Sequence, residues 1–137
     1  MKIVIAGGRD FNNYSVLKSC LDSMRQEVQI NEIVSGNARG ADELGETWAK
    51  ANYIPIKLFP ADWDRYGANA GFIRNAQMGE YADGLLAFWD GNSKGTAHMI
   101  KTMKFANKPY VVFNYNGDKI MEGGCLDGKY CNLACSG

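Results

Sequence analysis

The 137-residue chain has no net charge, because fifteen Lys and Arg offset fifteen Asp and Glu. A protein that holds nucleic acid through its phosphates needs a basic field, so this balance argues against a nucleic-acid partner. No apolar run approaches the ~20 residues of a membrane-spanning helix, and Met1-Lys2 leads straight into a strand-length apolar stretch without a signal-peptide pattern. These absences lead us to expect a cytoplasmic protein with no membrane partner. The close Cys-x2-Cys pairs of structural zinc sites are missing, and the chain has a single histidine. Cys20 stands alone, while Cys125, Cys131 and Cys135 crowd the end and read as free thiols, so no metal site is expected. Gly-x4-Gly-Lys-[Ser/Thr] is absent, which disfavours P-loop NTPase chemistry. So are a Ser-His-Asp spacing, paired His ligands and a Gly-x-Ser-x-Gly elbow, leaving common hydrolase and metalloenzyme templates unsupported.

What remains is a regular alternation. Lys2–Ala6 is a buried strand running into Gly7-Gly8, and Val16, Leu17, Cys20, Leu21 and Met24 mark one face of a helix ending near Val28. Glu32–Ser35 reads as a strand, Gly36–Gly40 as a loop and Ala41–Asn52 as a helix. Strands follow at Ile54–Phe59, Gly84–Trp89 and Pro109–Phe113, with helices at Ala70–Tyr81 and Lys94–Ala106. Strands separated by helices require crossover connections, which places them parallel in a sheet covered on both faces. The expected fold is a Rossmann-like, doubly wound α/β domain over residues 1–114, with a mainly parallel five-stranded sheet. Residues 115–137 would form a C-terminal extension whose hairpin turns at Asn116-Gly117-Asp118.

In such sheets ligands lie beyond the carboxyl ends of the strands, so the loops that follow the strands are the candidates. Gly7, Gly8, Arg9 and Asp10 form the first. It is either a tight turn with Arg9 paired to an acid or a close backbone approach with Arg9 forked onto phosphate. The second, Ser35-Gly36-Asn37-Ala38-Arg39-Gly40-Ala41-Asp42, brings small residues to a helix N-terminus, where free amides meet anions. Asp42 would hold a ribose hydroxyl or, more simply, complement the helix dipole. In the third, Trp63 and Tyr66 offer faces for a base, and Arg74 and Asn75 on the next helix reach for sugar and phosphate. The fourth contains the strongest local motif, Asp90-Gly91-Asn92-Ser93-Lys94-Gly95-Thr96, whose amides and hydroxyls can cradle a phosphate with Lys94 as a point charge. His98, in the helix that follows, is a more ordinary packing residue than a general base.

Taken together, Gly7-Gly8-Arg9-Asp10-Phe11, the Ser35–Asp42 loop, Ala61-Asp62-Trp63 through Gly71, Ile73-Arg74-Asn75 and Asp90–Thr96 resemble the YspA-like branch of the SLOG superfamily. This Rossmann-like group also holds the LOG-type phosphoribohydrolases and the DNA-processing protein DprA, and the similarity runs from about Met1 to Phe113. It implies a pocket for a nucleotide or nucleotide derivative, an ADP-ribose-like or cyclic signal for example, and no cofactor. It also allows a homo-oligomer built through the helices.

LOG-type enzymes cleave N-glycosides with an arginine and the glutamate of a Pro-Gly-Gly-x-Gly-Thr-x-x-Glu loop. Arg74 fits the arginine, but Met99 stands at the glutamate position. A thioether neither stabilises an oxocarbenium ion nor activates water. Binding for sensing or sequestration is therefore the leading expectation. Cleavage of a nucleoside monophosphate or related nucleotide would need Asp62, Asp64 or Asp90 in the missing role.

Overall fold

A computed structural model describes residues 1–124. The tail thiols Cys125, Cys131 and Cys135 lie outside the described residues. The first half of the chain forms β1 (Lys2–Gly7), α1 (Tyr14–Glu27), β2 (Glu32–Ser35), α2 (Ala41–Ala51), β3 (Ile56–Leu58) and the four-residue α3 (Trp63–Tyr66). A 3-10 turn at Gly67–Asn69 leads into α4 (Ala70–Tyr81), followed by β4 (Gly84–Phe88), α5 (Lys94–Phe105), β5 (Tyr110–Phe113) and β6 (Lys119–Gly123).

The strands form one sheet in the order β3-β2-β1-β4-β5-β6, with the first five parallel and β6 antiparallel to β5. The Rossmann-like expectation holds, with one amendment. The expected hairpin forms, and its second arm makes the sheet six-stranded rather than five-stranded, because β6 pairs with β5 from Tyr110 to Phe113.

Alternation along β1 divides the core. Ile3 and Ile5 face α1 and α2, where Leu17, Leu21, Met24 and Trp48 are buried, whereas Val4 and Ala6 face Met78, Met99 and Met103 of α4 and α5. Burying both faces is what makes the parallel strands near-continuous apolar runs.

Helix ends follow local chemistry. Asn13 caps α1 by accepting the Val16 amide at 3.2 Å, and Ser93 caps α5 by accepting the Thr96 amide at 3.3 Å. At the other end of α4, the Lys108 ammonium donates to the carbonyls of Gly79, Glu80 and Ala82 at 2.8, 2.9 and 2.7 Å. Those carbonyls lack intrahelical partners, and a cation there also complements the negative end of the helix dipole.

The strand order reverses direction at β1, where the chain leaves β3 and returns on the other side as β4. The loops after β1 and β4 therefore diverge, opening a crevice between them. Among the described residues, no helix is long and apolar enough to cross a membrane.

Candidate functional site

That crevice is a cleft of about 430 Å³ lined by residues from four segments. The β1 loop contributes Gly7, Gly8, Arg9 and Asp10, the β2 side Ala38 and Asp42, α4 Arg74, Asn75 and Met78, and the β4 loop with α5 Asp90, Ser93, Gly95, Thr96 and Met99. A second hollow of about 290 Å³ adjoins it, with Arg9, Ala38 and Arg74 common to both. Gly36, Arg39, Pro60, Ala61 and Trp63 line this second hollow, and Trp63 is 52% exposed.

Glycines set how closely these loops approach. Gly40 has φ +80°, and a Cβ there would lie 2.2 Å from the Gly8 carbonyl oxygen, so the β1 and β2 loops touch only because Gly40 has no side chain. A Cβ on Gly36 would lie 2.5 Å from Arg74 Nη1 and 2.9 Å from Asp42 Oδ2. That empty position lets Arg74 donate to the Gly36 carbonyl at 2.5 Å.

Arg74 also donates from Nε to the Asn75 Oδ1 at 3.0 Å. The Asn75 amide nitrogen in turn reaches the Gly95 carbonyl and His98 Nδ1, each at 3.2 Å. Asn75 therefore ties Arg74 to the start of α5, a positioning role that follows from its being buried with four hydrogen-bonding sites to satisfy. His98 does not line the cleft. It stacks on Phe72 at 4.4 Å and lines a separate groove with Lys101 and Phe105, its pKa lowered by burial and by Lys101.

The carboxylates of the cleft differ in state. Asp90 accepts the amides of Asn92 and Ser93 at 2.8 and 2.9 Å, which hold its pKa below the ordinary value. Asp10 accepts the Tyr115 hydroxyl at 2.5 Å, and burial together with Asp10 pushes the Tyr115 pKa up, so this hydroxyl remains a donor. Asp42 sits in the first turn of α2, as a dipole-complementing acid would, but it is buried, and its Oδ2 turns back to accept the Ala38 amide at 3.4 Å. Burial pushes its pKa up to about 7, against the opposing pull of Arg74 and the amides of Ala38 and Gly36. The same burial lowers the pKa of Arg74, which nonetheless stays charged.

Other expected site residues fall elsewhere. Ser35 donates to Glu46 at 2.7 Å and supports the loop behind the cleft. Asp62 caps α3 by accepting the Arg65 amide at 3.2 Å, Asp64 is exposed on the same short helix, and neither lines either hollow. Tyr66 lies beneath the Arg65 guanidinium, 5.1 Å from its ring centroid, and lines neither hollow. Gly91 within the β4 loop and Lys94 at the start of α5 do not line the cleft. Residues outside the sequence expectation join the lining instead. Ala6, Ala38, Met78 and Met99 bring apolar surface to it.

The N-terminal half of the chain, residues 1–66, matches the model of the YspA, cpYpsA-related SLOG family. That segment carries the β1 and β2 loops of the cleft, while Arg74 and the start of α5 lie beyond it. The chain is 33% identical over 125 residues to the Gene 61 protein of Mycobacterium phage D29, covering 86% of this chain and 98% of the phage protein. Its fold is similar to that of DNA processing protein A (DprA) from Streptococcus pneumoniae, with a TM-score of 0.62 at 17% identity. That similarity covers 96% of this chain and 54% of DprA, so the chain spans about half the length of that protein. The chain belongs to the YspA, cpYpsA-related SLOG family.

Proposed function

We propose that the cleft between the β1 and β4 loops binds a nucleotide or nucleotide-derived small molecule, ADP-ribose-like or cyclic, for sensing or sequestration. The observation that carries this reading is the juxtaposition of the Arg74 guanidinium with the open N-terminus of α5 at the switch point of the sheet. A guanidinium and a helix N-terminus converging on one space suit a phosphate. The half-exposed Trp63 in the adjoining hollow offers a face for a base, and Arg9 lies between the two hollows. Gly95 has no heavy atom within 4 Å of where a Cβ would be, so the backbone of the first turn of α5 is bare toward a ligand.

The second reading is N-glycoside cleavage of a nucleoside monophosphate or related nucleotide. Its obstacle is chemical, since Met99 lines the cleft without a proton to give or take. Of the three aspartates that sequence reasoning offered in compensation, only Asp90 lines the cleft, and its two loop amides hold it ionised. A DNA-associated role in the manner suggested by the name of DprA is opposed by the net charge of zero.

Incubation with a panel of nucleotides, ADP-ribose and cyclic nucleotides, followed by mass spectrometry of retained and released material, separates these readings. Binding predicts that one compound is recovered intact from the denatured protein. Appearance of free base and ribose phosphate in the supernatant would replace it with the cleavage reading.

A further inference from the structure

Of the three carboxylates lining the cleft, two are already committed. Asp10 is held by Tyr115, and Asp90 by the amides of its own loop. Asp42 is different, being 6% exposed, facing Arg74 and held by loop amides alone, with a long 3.4 Å contact from the Ala38 amide and a further pull from that of Gly36. Arg74 faces it from α4, Glu46 lies one turn along its own helix, and Arg9 acts on Arg74 from the β1 loop. Among the described residues, no ion pair joins Arg74 to Asp42, and the short Arg74 bonds go to Gly36 and Asn75 instead. The pair thus shares a space without neutralising itself by contact, in a buried position where a bare carboxylate is costly.

We propose that Asp42 is the specificity-setting carboxyl of the cleft. In its neutral form it donates a hydrogen bond to a ribose or phosphate oxygen and leaves Arg74 to the ligand's anionic group, so that ligand and one proton are taken up together. This inference rests on the nucleotide reading above. When Asp42 ionises, its charge offsets that of Arg74 and repels the ligand's phosphate. Burial already favours the neutral form up to about pH 7, and a bound anion favours it further. Affinity is therefore flat below that midpoint and falls as pH rises through it, at most tenfold per unit. His98, the other group titrating nearby in pH, lines a separate groove and does not face Asp42.

The test uses ADP-ribose, whose pyrophosphate keeps a fixed charge over this range, titrated calorimetrically between about pH 5.5 and 8.5. The wild-type chain is expected to lose about tenfold or more in affinity across the range and to take up about half a proton per ligand at pH 7, rising toward one above about pH 8. Asp42→Asn, which keeps the donor and cannot ionise, is expected to bind with a flat profile. Wild-type binding that ignores pH, or the same slope in Asp42→Asn, overturns the proposal.

Should Asp42→Asn fail to fold, carboxyl-carbon NMR of the wild-type chain decides, because the Asp42 midpoint must move upward when ADP-ribose is added. A midpoint that stays or falls overturns the proposal. Failure of ADP-ribose to bind at any pH would count against the nucleotide reading instead. The same NMR titration with sulfate, an anion of fixed charge, then judges Asp42 separately, and a midpoint unmoved by sulfate overturns its role.

Discussion

The two ends of the sheet handle polar groups in opposite ways. At the amino ends of the strands, polar groups are closed on one another: Lys108 satisfies three carbonyls at the end of α4, and the Lys2 amide donates to Asp83 at 2.8 Å. At the carboxyl ends, glycines replace side chains, Arg74 and Asp42 share a buried space without an ion pair, and the first turn of α5 is left bare. The first arrangement contributes to stability, since a charged donor on several carbonyls satisfies groups that would otherwise be orphaned. The second holds charge ready at a cost to stability, which is the usual price of a ligand site.

That contrast can be broken at its strongest point first. Arg74→Ala should weaken nucleotide binding by about 100-fold, corresponding to roughly 3 kcal/mol for lost charge-assisted hydrogen bonds, while the melting temperature moves little. Calorimetric titration beside thermal unfolding checks both halves. Next in size is the pH dependence of folding. Asp42 binds its proton more tightly folded than unfolded, so its contribution is fully present below about pH 4 and is lost as pH rises to about 7. Denaturant unfolding at pH 5 and 7 should show a loss on the order of 2 kcal/mol, absent in Asp42→Asn.

Smaller effects sharpen the division of labour. Lys108→Met should cost about 1–2 kcal/mol of stability by uncapping the α4 carbonyls and leave ligand affinity within twofold. Gly95→Val should do the reverse. Its side chain has open space in the unliganded protein, so stability holds, but it intrudes where a phosphate would sit and should lower affinity about tenfold. Least of all, Asp64→Asn on the exposed α3 should change affinity and stability by less than about 0.5 kcal/mol.

Much of the architecture was legible because long apolar periodicities report it. The helices expected at Ala41–Asn52, Ala70–Tyr81 and Lys94–Ala106 end within a residue of those observed, and β1 lies in the sheet interior as its run of apolar residues requires. Helix α3 escaped notice, since Trp63–Tyr66 buries nothing and has no periodicity to show. Strand β3 is shorter than Ile54–Phe59 because it lies at the sheet edge, pairs on one side only and leaves Leu58 exposed.

Within the cleft, the glycine-rich loops and Arg74 could be read directly. The state of Asp42 could not, since its burial and its neighbour Arg74 arise from segments more than thirty residues apart in the chain. The Tyr115 contact with Asp10 spans 105 residues and lies beyond any local signal. Asp62 and Asp64 looked equivalent to Asp90 in composition, and only the fold separates the one carboxylate that lines the cleft from the two that do not.

The most direct test of the central claim is a crystal structure of the protein soaked with ADP-ribose. A phosphate is expected within hydrogen-bonding distance of the Arg74 guanidinium and the Gly95 amide, with the base toward Trp63. Ligand density confined to the groove at His98 and Phe105, or a phosphate that makes no contact with Arg74 or the start of α5, would contradict it.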